Sequence, residues 1–369
     1  MYQGETIGRP RVLIAPLDWG LGHATRCIPV IHELLLADFD VIIAAGGKAE
    51  TLLKEEFPDL TFLPLEGYNI SYGRNKWSFT IKIIAQIPKI LRTIKRENKW
   101  LDGIIKDYNI SAVLSDNRYG LYNAAIFSVF ITHQLCIKST LGKWSEKILQ
   151  HFNYGLINRF NQCWVPDVEA KESLAGELSH PKQKPSIPVQ YIGTLSRFTD
   201  SKAAIPTKYL LILLSGPEPQ RSILECRLLQ QLAAYKGPVL FVRGLPDCST
   251  ILTVANAIKI KNHLPAKELE EAILQATLVI SRCGYSTVMD LMALQKKSIL
   301  IPTTGQTEQE YLAQHLMQNK YALCIAQDRF NLAVALQTAT TFPYHSFPSD
   351  SSTLLRKAIK QLSKKMAAY

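Results

Sequence analysis

Two α/β halves, each a parallel sheet flanked by helices, is the fold this sequence predicts. Three observations carry it. Short apolar runs alternate with helix-length amphipathic stretches, the pattern of repeated βαβ units. The alternation stops across 179–190 (SHPKQKPSIPVQ), which holds three prolines and reads as a hinge or linker, and across the polar 199–208 (TDSKAAIPTK), then restarts. Several runs end in a glycine-containing turn that opens a helical stretch, the joint at which doubly wound sheets bind ligands. Length agrees: 369 residues exceed one ordinary core, and two domains of roughly 150 to 200 residues are expected.

In order, 11–16 (RVLIAP) reads as a buried strand, 24–37 as a helix and 41–45 (VIIAA) as the next strand. Apolar runs at 112–114, 125–132 and 163–165 continue the first half. The second half restarts at 209–214 (YLLILL), with a helix over 222–234 and strands at 238–242, 278–281 and 298–302. A helix near 286–294 separates the last two strands, and 352–366 is helical and basic. The expected division is 1–190 for an acceptor-binding domain and 191–350 for a nucleotide-sugar-binding domain. Residues 351–369 are a terminal helix expected to pack back on the first domain.

Composition narrows the function. Lys and Arg number 42 against 31 Asp and Glu, so the formal net charge is +11 and anionic partners are favoured. The seven cysteines form no CxxC pair, which speaks against a zinc site or a disulfide scaffold and for reduced thiols. Residues 1–20 resemble no signal peptide, and no apolar run reaches the ~18 residues of a spanning helix, so a cytoplasmic chain is expected. No aromatic-basic RNA motif is present, and nucleic acid is not an expected partner.

Three turns are candidates for chemistry. Gly20-Leu21-Gly22-His23 follows the first strand and opens the first helix, where backbone N–H groups attract anions or polarised hydroxyls. The second strand ends Ala44-Ala45-Gly46-Gly47 without the carboxylate of a dinucleotide fingerprint, so NAD is disfavoured. Ser215-Gly216-Pro217-Glu218-Pro219-Gln220-Arg221 is a second such turn and lacks the Walker lysine. The third, Arg282-Cys283-Gly284-Tyr285-Ser286-Thr287, leads to Asp290, and the next strand ends in a loop rich in amides and acids, 303–310. Each has a plain alternative, a capped helix or a solvated surface.

The segment 282–290 followed by 302–309 resembles the C-terminal donor half of the glycosyltransferases related to the peptidoglycan N-acetylglucosaminyltransferase that makes lipid II. Residues 20–23 are similar to their N-terminal glycine loop, and Gly193-Thr194-Leu195-Ser196-Arg197 to their interdomain segment. The resemblance implies a GT-B fold, two Rossmann-like domains with parallel sheets facing across a cleft. It implies inverting transfer from a UDP-sugar with no obligatory cofactor or metal. By motif, Gly284, Ser286 and Thr287 would lie near the diphosphate, supported by Gly216. Asp290 would hold the ribose, Gln309 and Glu310 the donor sugar, and Arg197 would sit at the cleft. The chain departs from the pattern at Asp290, where the family has Glu, at Glu310, where it has a second Gln, and in the sparse glycine of 215–221.

Displacement at an anomeric carbon needs a base for the acceptor hydroxyl and dipoles or cations for the departing diphosphate. His23 is the base candidate and Asp116, in Ser115-Asp116-Asn117-Arg118, the other. Gly20, Gly22 and His133 are expected at the acceptor side. The stretch 77–99 interleaves Trp77, Ile83, Ile87, Ile90, Leu91 and Ile94 with lysines and arginines, and Glu97 is its one acid. It reads as a surface for an anionic membrane or as a core-packed helix with a basic outer face. The expected activity is transfer of a hexose or N-acetylhexosamine from a UDP-sugar to an acceptor hydroxyl, lipid-linked if the membrane reading holds, at the inner face of the membrane. The rivals are a UDP-sugar epimerase or hydrolase on the same fold, and a nucleotide-sugar-binding protein with no activity.

Overall fold

The computed structural model describes residues 9–68, 76–170, 172–198, 209–246, 248–250, 252, 258–348 and 351–367, excepting the side chains of 76–85, 351–352 and 367. The first half runs β1 (Arg11–Pro16), α1 (Leu21–Leu36), β2 (Asp40–Ala45), α2 (Gly47–Glu56), β3 (Thr61–Pro64) and α3 (Lys76–Tyr108). It continues with β4 (Ala112–Asp116), β5 (Phe127–Ile131), α4 (Lys143–Ile157), β6 (Gln162–Val165) and β7 (Val189–Tyr191). These seven strands pair in parallel in the order β3-β2-β1-β4-β5-β6-β7. β1, β4 and β5 are buried without alternation because helices cover both faces of the sheet.

The second half runs β8 (Tyr209–Leu213), α5 (Gln220–Leu232), β9 (Val239–Val242), β10 (Ile258–Lys261), α6 (Ala266–Gln275) and β11 (Ala276–Arg282). Then come α7 (Tyr285–Ala293), β12 (Ser298–Ile301), α8 (Thr307–Gln318), β13 (Leu323–Cys324) and α9 (Leu332–Thr341). The six strands are again parallel, ordered β10-β9-β8-β11-β12-β13. Two Rossmann-like sheets is therefore the architecture, as expected.

Strand order reverses between β1 and β4 in one sheet and between β8 and β11 in the other. In such sheets the crevice at the carboxyl end of the reversal is where ligands bind. Asp116 ends β4, residues 20–23 follow β1, and Gly216 and Gly284 follow β8 and β11.

Residues 179–190 are not a free hinge. Ser179 is buried and donates to Asp167 Oδ2 at 2.6 Å, and Val189–Tyr191 forms the edge strand β7 against β6, spanning the 190/191 boundary. Three residues are too short a strand to show a period. The other linker segment, 199–208, lies outside the described residues. The terminal helix α10 (Ser351–Ala367) crosses to the first half, where Arg356 pairs with Glu33 of α1 at 2.9 Å and Lys365 donates to Gln162 at 2.8 Å. α3 runs through Pro88; its Ile94 and Glu97 are buried while Ile87 and Leu91 face outward. Glu97 turns in to Arg118 at 2.7 Å and accepts from the Tyr68 hydroxyl at 2.7 Å. The side chains of Trp77 and Ile83 lie outside the described residues.

Candidate active site

The first turns of α1 and α7 face each other. Ser286 Oγ donates to the Gly22 carbonyl at 2.7 Å, and a Cβ on Gly22 would lie 3.0 Å from that Oγ. Gly20 has φ +79 and is exposed, while Gly284, Ser286 and Thr287 are half-buried. A Cβ built on Gly20 or Gly284 meets nothing within 4 Å, so open space lies beside both turns. Gly216, at φ +104, is exposed with the same clearance.

His23 projects from the start of α1 toward β4. Its Nδ1 lies 2.8 Å from Asp116 Oδ2, and Asp116 is fully buried. Arg26, one turn along α1 and 2% exposed, grips Asp116 Oδ1 through Nε at 2.8 Å and through Nη2. Burial favours the protonated acid at Asp116, but Arg26 and His23 outweigh it and hold its pKa below the ordinary carboxylate range. An ionised carboxylate only accepts, so it fixes the His23 proton on Nδ1 and leaves Nε2 as the acceptor. Arg26 Nη2 also stands 2.8 Å from Nδ1 and opposes protonation of the ring. Burial first and Arg26 second push the His23 pKa below its usual value, so the neutral base is the resting form. Nε2 bonds to nothing among the described residues.

The network crosses to the second half. Arg26 Nη1 lies 3.2 Å from His133 Nδ1, and His133 Nε2 lies 2.7 Å from Glu308 Oε1 at the start of α8. His133 also stacks on Tyr285 with ring centroids 4.2 Å apart, and the Tyr285 hydroxyl donates to the Pro166 carbonyl at 2.7 Å. Burial opposes ionisation of Glu308, yet His133 keeps its pKa lowered. Arg26, Tyr285 and Glu308 carry no functional signal in the sequence beyond the segments they sit in. Arg26 looks like an outward residue of a helix, and no local signal reports that Asp116 and His133 close over it.

The donor-side candidates are placed as follows. Asp290 is buried; its Oδ1 accepts from Ser196 Oγ at 2.9 Å and the Arg197 N–H at 3.4 Å, and its Oδ2 lies 3.4 Å from Arg197 Nε. Burial raises its pKa against the pull of Arg197. A ribose contact would have to share this carboxylate with the interdomain segment. Gln309 Oε1 accepts from Thr303 N at 2.9 Å and Glu310 Oε1 from Gly305 N at 3.0 Å, so both shape the 303–306 loop. The loop after β12 is tied to the first half through Thr307 Oγ1, which donates to the Lys138 carbonyl at 2.8 Å. Arg282, fully inside, donates to the Gln220 carbonyl and Gln327, each at 2.6 Å, and burial lowers its pKa to about 10. It braces the α5 and α7 turns from beneath. Among the described residues no cluster of three or more His, Cys, Asp or Glu side chains could hold a metal ion.

Residues 256–365 match the model of the glycosyltransferase family 28 C-terminal domain. The UDP-N-acetylglucosamine--N-acetylmuramyl-(pentapeptide) pyrophosphoryl-undecaprenol N-acetylglucosamine transferase of Haemophilus ducreyi is 23% identical over 83% of this chain and 82% of its own length. The enzyme of the same name from Listeria monocytogenes is 22% identical over 83% of each chain. Among solved structures, the glycotransferase of kitacinnamycin superposes with a TM-score of 0.63 at 14% identity, covering 98% of this chain and 96% of its own.

Proposed function

We propose, for a chain that is a GT-B glycosyltransferase carrying a family 28 C-terminal domain, that it moves a hexose or N-acetylhexosamine from a UDP-sugar to the hydroxyl of a lipid-linked acceptor with inversion. One observation carries the mechanism: a neutral, carboxylate-oriented histidine sits beside the turn that faces the α7 N-terminus. In this reading His23 Nε2 takes the acceptor hydroxyl proton as that oxygen attacks the anomeric carbon. Asp116 holds the ring and balances the imidazolium that forms. The diphosphate leaves toward the backbone N–H groups of 284–287, whose helix dipole meets its charge. Direct attack by the acceptor from the face opposite the leaving group is what inverts the centre. Gly216 stands beside the same diphosphate, and Gln309 and Glu310 present the loop that contacts the sugar.

The lipid-linked acceptor rests on the likeness to the two pyrophosphoryl-undecaprenol transferases and on the basic, apolar 77–99 stretch. No helix of the described residues is long and apolar enough to cross a membrane. A peripheral position at the inner membrane face follows as part of the proposal. The test is a donor panel with purified protein: thermal shift against UDP, UDP-sugars, NAD and ATP, then UDP release with and without a polyprenyl-diphosphate saccharide. Stabilisation by UDP and acceptor-dependent release are expected. Stabilisation by NAD alone, or release that ignores the acceptor, defeats the proposal.

A further inference from the structure

Helix α4 is built inside out. Ser145 and Asn153 are buried at 8% and 3% exposure, whereas Trp144, Ile148 and Phe152 are 76%, 50% and 49% exposed. Four-residue spacing sets those three on one stripe, and Leu141, 54% exposed, extends it beyond the helix start. A helix on a soluble sheet turns its apolar stripe inward, so a file of water-facing Trp, Ile and Phe marks an interaction surface.

The inversion is enforced from within. Asn153 Oδ1 accepts from the Tyr119 hydroxyl at 2.8 Å and its amide donates to the Gln134 carbonyl at 3.3 Å. Ser145 Oγ donates to the Gly142 carbonyl at 2.7 Å. Rotating the helix to hide the stripe would expose Leu156 and Ile157 and break these bonds.

Charge selects the partner. Lys143, Lys147 and His151 are exposed around the stripe. The one acid of α4, Glu146, instead accepts from the Ser139 N–H at 3.2 Å. The neighbourhood is cationic too. Val113 of β4 pairs with Ser128 of β5, so Phe130 lies on the same sheet face as Val113. α3 covers that face through Leu101 and α4 through Ile157. On this side α3 adds exposed Arg92, Lys95 and Lys99 beside outward Ile87 and Leu91. Bulky apolar side chains ringed by cations fit an anionic bilayer interface.

We propose that α4 is an interfacial membrane anchor, its Trp144, Ile148 and Phe152 inserting among acyl chains while Lys143 and Lys147 meet anionic head groups. This rests on the membrane-peripheral reading above and assigns it a second element outside 77–99. Residues 134–142 join His133 to α4, and the Lys138 carbonyl accepts from the Thr307 hydroxyl, so anchoring here brings the inter-lobe turns close to the membrane surface. That is where the hydroxyl of a lipid-linked acceptor lies.

The test sediments the full chain with phosphatidylcholine vesicles with and without phosphatidylglycerol. Wild type is compared with Trp144→Ser/Ile148→Ser/Phe152→Ser and with Ile87→Ser/Leu91→Ser. Thermal stability and UDP affinity of the triple variant are expected to match wild type, since its changed side chains face solvent. Its affinity for anionic vesicles should fall about a thousandfold, each of the three lost side chains forfeiting roughly a factor of ten. Wild-type emission should shift blue on vesicle addition, and much less so in Trp144→Phe. Triple-variant binding equal to wild type overturns the anchor and leaves the membrane reading standing. Absence of wild-type binding to any vesicle removes both. A wild-type dimer that the triple variant splits, with vesicle binding unchanged, makes the stripe a self-interface and overturns the anchor as well.

Discussion

Replacing Asp116 by Asn separates the chemical role of the carboxylate from its structural one. The shape is kept and the charge removed. At wild type one oxygen receives His23 Nδ1 at 2.8 Å and the other receives Arg26. An amide presents one acceptor and one donor, so it cannot satisfy both as an acceptor. Arg26, already donating, claims the oxygen, and the NH2 then turns to Nδ1 and drives the proton to Nε2. A histidine protonated at Nε2 cannot accept the acceptor's proton. The expected loss in kcat is about 10³- to 10⁴-fold, with the donor KM nearly unchanged. Stability falls too, because Arg26 is 2% exposed and loses its counter-charge. Breaking a buried pair costs about 3–5 kcal/mol. At about 2–4 °C per kcal/mol for a domain of about 190 residues, Tm should drop by about 6 to 20 °C. The assay is UDP release with donor and acceptor, at a temperature where the variant is folded, beside a thermal melt. A kcat within about threefold of wild type, with Tm lowered as expected, would refute the orientation argument and leave Asp116 a purely structural partner of Arg26.

The remaining predictions concern the same few residues. His23→Gln should lower kcat about 10²- to 10⁴-fold and flatten the acid limb of the pH–rate profile, which in wild type lies below the ordinary histidine pKa of about 6.5 because burial and Arg26 depress it; a wild-type limb centred above neutrality contradicts this. The sign for stability follows: a histidine whose folded pKa is lowered stabilises fully above its unfolded value and loses that contribution as pH falls toward the folded one, so the wild-type melt should weaken below about pH 6.5 more than that of His23→Gln. Gly22→Ala places a methyl 3.0 Å from Ser286 Oγ and should raise the donor KM several-fold; an unchanged donor KM would mean the two turns do not share the donor. Asp290→Ala unseats Ser196 and Arg197, costing about 1–3 kcal/mol in a urea titration, and should also weaken UDP binding measured by calorimetry; unchanged UDP affinity would reduce Asp290 to an interdomain tie.

Strands, helix-length gaps and the three glycine turns were legible from sequence because they are local properties: runs such as VLIAP and YLLILL are apolar throughout only if helices cover both faces of a sheet. Motif spacing likewise marked His23, Asp116 and the 284–287 turn. Which of these meet was decided by tertiary structure. His23 and Asp116 are 93 residues apart and touch because β4 pairs with β1 at the reversal of strand order; Ser286 and Gly22, 264 apart, touch because the two sheets aim their reversals at one another. Arg26 and Glu308 carried no signal, since a side chain's partners across a sheet edge depend on strand order and not on its neighbours in the chain. The motif directs Asp290 toward a ribose, and only the packing puts Ser196 and Arg197 at its carboxylate. Helix α4 shows the same limit from the other side: its amphipathic period says that one face is apolar, but which face meets the sheet is settled by Tyr119 and Gln134 holding Asn153, and so the apolar stripe is left to the solvent.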